Sequence, residues 1–593
     1  MEAHTFFCLG IEALGRCKYD PSSSFSLLSF GEAVQAVTFL IAFTQVLRPV
    51  DLFKFRVKYY RFKWGLAWPC GALIASVFFT LVAKLLLAIQ TEPLPILGYP
   101  IFWEFWAAFM IMATITDLVI TFLCPTKFIP RNAKIFLDQC CLFIGRGSEA
   151  EICSLAREIG ANVPRIMRAF NEYDSHVASM AKEKEAEDGS FAFCQNAHFL
   201  IAAFSDPLFC KVLVCQSPVT AYGFITEIQK QSADAEYLIN FIHQLIKQAL
   251  RHKDSALYKE EKYQGLGYFR SFTNLCFGNY DFIEKFRVME ALRYWQGDIT
   301  EWQMAKYAEM VEEVLKAYFE AGCFSRPWPL KSALETLTNT ARNIVWKNDE
   351  ASQPGITHPE YQNILMSISQ TLQNLVNITI VSFDKIPKGY SFSEEDDLRK
   401  RNNDSSIYEV IAKAMFNFLE ALSATKKYDE NLRIYGITIW LIIFSPISSR
   451  TEEVTVCAEI RKRLEWYILE KLGHNLEQGF YPPITRTLIA LLGLYESPQP
   501  ATNPDDQFKQ KFLSYLRTHF EKAVEKFGDR IFRDMLPADV QYDRERGILT
   551  ERLALDKECK FNLREVPAST DVSNKIVVKD NIDQSCGTLP KNS

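Results

Sequence analysis

The chain has 593 residues, 48% hydrophobic and 13% aromatic, enough apolar material for a membrane segment and one large or several ordinary domains. Its formal net charge is −5, and the first 124 residues carry nine Lys/Arg against eight Asp/Glu, leaving 57 basic and 63 acidic residues beyond them. A weakly acidic remainder excludes a global field that would gather DNA or RNA, so no nucleic acid partner is expected.

The chain starts without a charged segment, apolar run and small-residue cleavage site in succession, so no cleaved signal peptide is expected, and residues 1–24 read as a short extracytoplasmic N-terminus. Three apolar stretches follow, at about 25–47, 65–90 and 97–124. A helix needs about 20 residues to cross the hydrocarbon core, which the second and third stretches supply. The first is marginal, because Gln35 and Gln45 interrupt it. Trp64, Trp68, Tyr99, Trp103 and Trp106 sit near the ends of these stretches, where amphipathic rings favour the headgroup level.

The loop between the first two stretches carries Arg48, Lys54, Arg56, Lys58, Arg61 and Lys63 against Asp51 alone, and Lys127, Arg131 and Lys134 follow the third. The TEPLP turn between the second and third has no basic residue. Basic flanks mark the cytoplasmic side, which puts the N-terminus outside and residues 125–593 inside. The same basic cluster is a candidate seat for anionic lipid headgroups, set against a purely topological role. Four ionisable residues lie within the apolar stretches. Glu32, Lys84 and Glu104 fall at one depth in the outer half, and Asp117 sits apart near the inner end. Intramembrane charges are costly and are usually paired or functional, so the three form a candidate polar cluster, with a Lys84–Glu104 ion pair across the hairpin.

Beyond the membrane block the expected fold is all-α. A juxtamembrane helical region is expected over 125–189 and a large helical cytoplasmic domain, repeat-like or an irregular bundle, over 190–560, with candidate breaks near 183–189 and 384–404 and a disordered tail over 561–593. Ser148 with Glu151, Asp206-Pro207 and Ser217-Pro218 mark helix starts. Leu238, Phe241, Ile242, Leu245 and Ile246 recur at helical spacing. The run 437–444 (ITIWLIIF) is apolar but too short to span, which predicts a buried helix. The best strand candidate is ITIVSFD at 378–384.

Chemistry is sparse. GRGS at 145–148 lacks the lysine and preceding strand of a phosphate loop, and GLG at 265–267 lacks the context of a dinucleotide site. The 15 cysteines form no C-x-x-C pair and read as free thiols, mostly buried. His243 and His252 lean to different faces of one helix, a poor metal pair. His252, Asp254 and Ser255 have the residue types of a nucleophilic triad, but triad members normally come from separate elements. The acidic run 394–397 reads as a solvated loop. No catalytic residue, cofactor or metal is expected. The sequence favours a membrane-anchored interaction, scaffold or sensor protein without catalytic activity, whose partners are the bilayer and a protein or a second copy of the chain. The alternatives are an oligomeric channel or transporter subunit gated by the helical domain, and an enzyme whose site no motif reveals.

Overall fold

Apolar periodicity and helix-start residues decide most of the chain, and 81% of the described residues are helical. The computed structural model describes residues 5–7, 16–18, 29–46, 49–59, 67–89, 100–124, 126–146, 148–180, 189–230, 236–260, 262–263, 267–268, 271–293, 299–325, 327–350, 359–386, 406–424, 430–444, 451–477, 484–496, 503–528, 536–537, 539–552 and 558–564. The TEPLP turn, most of the candidate breaks at 183–189 and 384–404, and nearly all of the expected tail lie outside the described residues. The chain divides into two compact units, Met1–Thr425 with Ile434–Tyr467, and Lys426–Arg433 with Ile468–Ser593.

In the first unit a strand pair, β1 (Thr5–Phe7) and β2 (Arg16–Lys18), precedes four helices: α1 (Phe30–Val46), α2 (Pro49–Tyr59), α3 (Ala67–Ile89) and α4 (Pro100–Leu123). α3 and α4 have 23 and 24 residues, roughly 35 Å at 1.5 Å per residue, enough to cross a core of about 30 Å. They pack along one another, with Phe79 against Trp103 at 5.3 Å between ring centroids. Ile74, Phe78, Leu81 and Leu85 of α3 and Phe109, Met112, Val119 and Ile120 of α4 point outward, as lipid-facing side chains would. Ser76, Thr80 and Thr114 donate to carbonyls three or four residues back, so their hydroxyls need no outside partner.

The body continues through α5 (Ala133–Gly145), α6 (Glu149–Gly160), α7 (Val163–Met180), α8 (Gly189–Phe204), α9 (Pro207–Gln216), α10 (Pro218–Gln229) and α11 (Glu236–Arg251). A short pair, β3 (Lys262–Tyr263) and β4 (Gly267–Tyr268), leads to α12 (Ser271–Phe277), α13 (Tyr280–Phe286) and a 3₁₀ turn at Val288–Leu292. Then come α14 (Glu301–Ala321), α15 (Trp328–Glu350), α16 (Pro359–Val381), α17 (Ile407–Ser423), α18 (Glu430–Phe444) and α19 (Thr451–Glu477). The expected start at Asp206-Pro207 is made as a cap, with Asp206 Oδ1 accepting from Leu208 N and Phe209 N at 2.9 and 3.0 Å. Ser148 and Ser217 precede their helices without a side-chain cap bond.

Helices pack in two rows. One runs α10, α12, α14, α16, and the other runs α11, the 3₁₀ turn, α15, α17. α14 and α16 are parallel in constant register: Asn363 donates to Glu301 at 2.9 Å and Asn374 to Glu312 at 2.7 Å, both 62 residues apart. Pro359–Val381, which is α16, is also long and apolar enough to cross a membrane, as Phe102–Thr121 within α4 is. α16 is a helix of the body. Ile364, Leu365, Ile368, Leu372 and Leu375 are buried, and Tyr435 OH donates to Gln362 O at 3.2 Å. The chain is a membrane protein on the evidence of its apolar helices, carried most clearly by α4 with α3 beside it.

In the second unit α20 (Ile484–Leu492) and α21 (Pro504–Phe527) accompany a three-stranded antiparallel sheet, β5 (Val540–Asp543), β6 (Ile548–Arg552) and β7 (Glu558–Asn562). This corrects the expectation of an all-helical domain to residue 560. The β5–β6 turn holds Gly547 at φ +66° and an Asp543 carboxylate that accepts from Glu545 N and Arg546 N. A second correction concerns 378–384. α16 runs through Val381, Thr379 Oγ1 donates to Leu375 O at 2.7 Å, and a 3₁₀ turn at Phe383–Lys385 follows. The helix, buried through Leu372, Leu375 and Val376, carries on into this run and overrides its strand preference.

Candidate functional site at the membrane junction

The loop expected at 48–63 holds a helix. In α2, Phe53, Lys54 and Val57 are buried on one face. Phe53 meets Phe136 and Phe143 of α5 edge-on at 5.3 and 5.8 Å, and Phe128 joins Phe136 at 5.4 Å and stacks on Phe193 at 4.8 Å. The basic residues of α2 are engaged within the protein. Lys54 Nζ pairs with Glu158 Oε1 of α6 at 3.0 Å, each side chain 10% exposed. Lys58 Nζ pairs with Asp117 Oδ1 of α4 at 2.7 Å and donates to Thr121 Oγ1 at 2.5 Å. Arg56 Nη1 donates to Gln139 Oε1 of α5 at 3.3 Å.

The segment leaving α4 is held just as closely. Glu158 Oε2 accepts from Thr126 N at 3.2 Å. Asn162, buried at the α6–α7 turn, accepts from Phe128 N at 2.8 Å and donates to Thr126 O at 2.6 Å and Glu158 O at 2.9 Å. Asn132 accepts from Ile129 N and donates to Lys127 O, at 3.0 and 2.9 Å. These side chains supply the backbone partners that a non-helical buried segment lacks. Asp117 lies six residues before the end of α4, about 9 Å inside the helix, where an uncompensated carboxylate is costly. Lys58 compensates it. α2 is therefore a brace that joins the membrane helix α4 to the body helix α6 through two ion pairs, and to α5 through Phe53 and Arg56.

The other expected residues are placed as follows. Glu32 and Ser29 form a capping box at the start of α1, with Ser29 N donating to Glu32 Oε2 at 2.6 Å and Glu32 N to Ser29 Oγ at 3.2 Å. Lys84 is exposed on α3, Glu104 is 4% exposed on α4, and no ion pair joins them among the described residues. Arg48, Arg61 and Lys63 lie outside the described residues. Ser255 Oγ donates to Ala249 O at 2.6 Å, His252 Nε2 meets Gln248 Oε1 at 3.2 Å, and Asp254 Oδ1 accepts from the Cys215 thiol at 3.6 Å. These bonds stabilise the end of α11, and the Ser255 hydroxyl is spent on a backbone carbonyl rather than on His252 or Asp254. His243 Nε2 lies against Phe286 O and Arg287 O at 2.9 and 3.1 Å, and burial holds its pKa below the usual range. Burial raises the thiols of Cys140, Cys210 and Cys276. Among the described residues no three His, Cys, Asp or Glu gather as metal ligands.

Sequence reasoning missed Glu158 and Asn162. The signal was present, since Ile152, Leu155 and Ile159 define the apolar face of α6 and Glu158 and Asn162 fall on it. A search of family models finds no match, and no curated protein or solved structure matches the chain.

Proposed function

We propose that the chain is a membrane-anchored, non-catalytic scaffold whose helical body lies on the cytoplasmic side and presents rows of helices to a protein partner. The observation that carries this is the brace. A body tied to α4 by Lys54–Glu158 and Lys58–Asp117 is held in a set orientation to the bilayer, as presentation of a surface requires. The constant 62-residue offset between α14 and α16 supports a repeat-like stack, an architecture that offers extended binding faces. One such face lies on α16, where Asn363, Met366, Gln370, Asn374 and Asn377 are exposed. The charges that would line a membrane pathway give a pore little support, because Glu32 serves a helix start and Lys84 points outward.

The test combines mass measurement in mild detergent with ion flux in liposomes. A monomer or dimer without flux is the expected result. A ring-like multimer that conducts, and loses conduction in Glu104→Gln while the fold persists, would replace the scaffold with a channel subunit.

A further inference from the structure

With the α2 cations engaged inside the protein, a second basic surface stands open. Lys127, Arg131, Lys134, Arg157, Arg165 and Arg168 are exposed, and none is in an ion pair among the described residues. Arg157 has one weak polar contact, Nη2 to Cys153 Sγ at 3.8 Å. The six are brought together by the exit segment. Asn162 ties the α6–α7 turn to Thr126 and Phe128, which brings the corner whose helix ends carry Arg157, Arg165 and Arg168 against the segment that carries Lys127 and leads to Arg131 and Lys134. α4 ends at Leu123, which is 78% exposed, only a few residues before this point.

The acids of the same region offset only part of this charge. Glu158 is buried against Lys54, and Glu149 is taken by Lys211 at 2.6 Å. Glu151 is half-buried in the first turn of α6, and Asp138 is exposed one turn beyond Lys134. Glu172 is exposed one turn beyond Arg168 on α7 and has interactions of its own.

Resting on the membrane-anchored reading, we propose that this surface is a seat for the anionic headgroups of the leaflet into which α4 ends. The cations are spread over an exit segment and two helix ends, which suits a sheet of phosphodiesters better than a single soluble anion. Each Lys or Arg held near an anionic leaflet strengthens binding about fivefold, so six of them form a strong electrostatic contact that salt weakens. The seat would fix the body's tilt on the bilayer, while the brace fixes its attachment.

The experiment uses the full chain in nanodiscs of phosphatidylcholine, with or without one-third phosphatidylglycerol, and hydrogen exchange of peptides covering 126–134 and 157–168. Exchange should slow several-fold in the anionic discs and recover in high salt. The triple variant Arg157→Gln, Arg165→Gln, Arg168→Gln should lose the difference, and the corresponding Arg→Lys triple should keep it. Exchange in α16 serves as the control for folding and should not change. Equal exchange in both discs would overturn the seat with the anchor intact. Slowing produced in neutral discs by inorganic phosphate alone would also overturn it, in favour of a soluble-phosphate site. Failure of the chain to enter discs at all would instead overturn the anchored reading, and the seat with it.

Discussion

Lys54 and Glu158 are each almost fully withdrawn from water, so the pair is worth less than the cost of breaking it. Lys54→Met leaves a buried carboxylate whose remaining partner is the Thr126 amide, and should cost about 3–5 kcal/mol. Adding Glu158→Gln should restore much of that, because no orphan charge remains. Denaturation of the detergent-solubilised chain reads the coupling, and additive losses would show that the two residues do not act together. Glu312 on α14 tests burial in the opposite sense. Burial holds its carboxyl above the ordinary value of 4.5, in spite of the Asn374 bond. A raised folded pKa contributes stability that is present below pH 4.5 and lost as pH rises through the folded value. The ionised carboxylate is therefore a liability at neutral pH. Glu312→Gln should raise Tm at neutral pH, and the gain should shrink on acidification towards the ordinary carboxylate range. A variant equally destabilised at every pH would contradict this.

At the scale of elements, the exit segment depends on Asn162. Asn162→Leu keeps the volume but leaves Phe128 N and Thr126 O without these partners, at about 1–3 kcal/mol for each group that stays buried. Hydrogen exchange at Phe128 should accelerate more than at any α16 amide, and unchanged protection would show that the segment holds itself. In the second unit, Gly547 sits at φ +66°, and a Cβ there would come within 2.7 Å of Arg564 Nε. Gly547→Ala should cost about 1–2 kcal/mol and loosen the β5–β6 hairpin, read as faster exchange over 540–552. These elements also show what was legible. Apolar runs and the Asp206-Pro207 start foretold α3, α4 and α9 because helix periodicity and caps are local. α2 was hidden because its Lys and Arg suggested a solvated loop, whereas Phe53 and Val57 at i and i+4 mark a buried face that takes Lys54 in with it. The sheet was hidden because β5 to β7 are four or five residues long and charged residues occupy many of their positions. ITIVSFD misled for the converse reason: its β-branched run continues the last turn of α16, where Thr379 is buried and Val381 exposed, and the helix already packed through Leu372, Leu375 and Val376 decided its conformation. The Lys84–Glu104 pair was inferred from matched depth, but depth fixes no rotation about a helix axis, and Lys84 lies on the exposed side.

For the whole molecule, the central claim is a helical body braced beneath one face of the membrane, on the cytoplasmic side. That side is the one proposed above, on the reading that the basic residues after α4 and those of α2 follow the positive-inside rule. A corollary is that the sequons at Asn377 and Asn403 carry no glycan in a eukaryotic host, although Asn377 is exposed on α16. The most direct measurement is accessibility of an epitope fused after Ser593 in intact and permeabilised cells. Labelling only after permeabilisation is the predicted result, and labelling of intact cells from outside would contradict the orientation and the scaffold built on it.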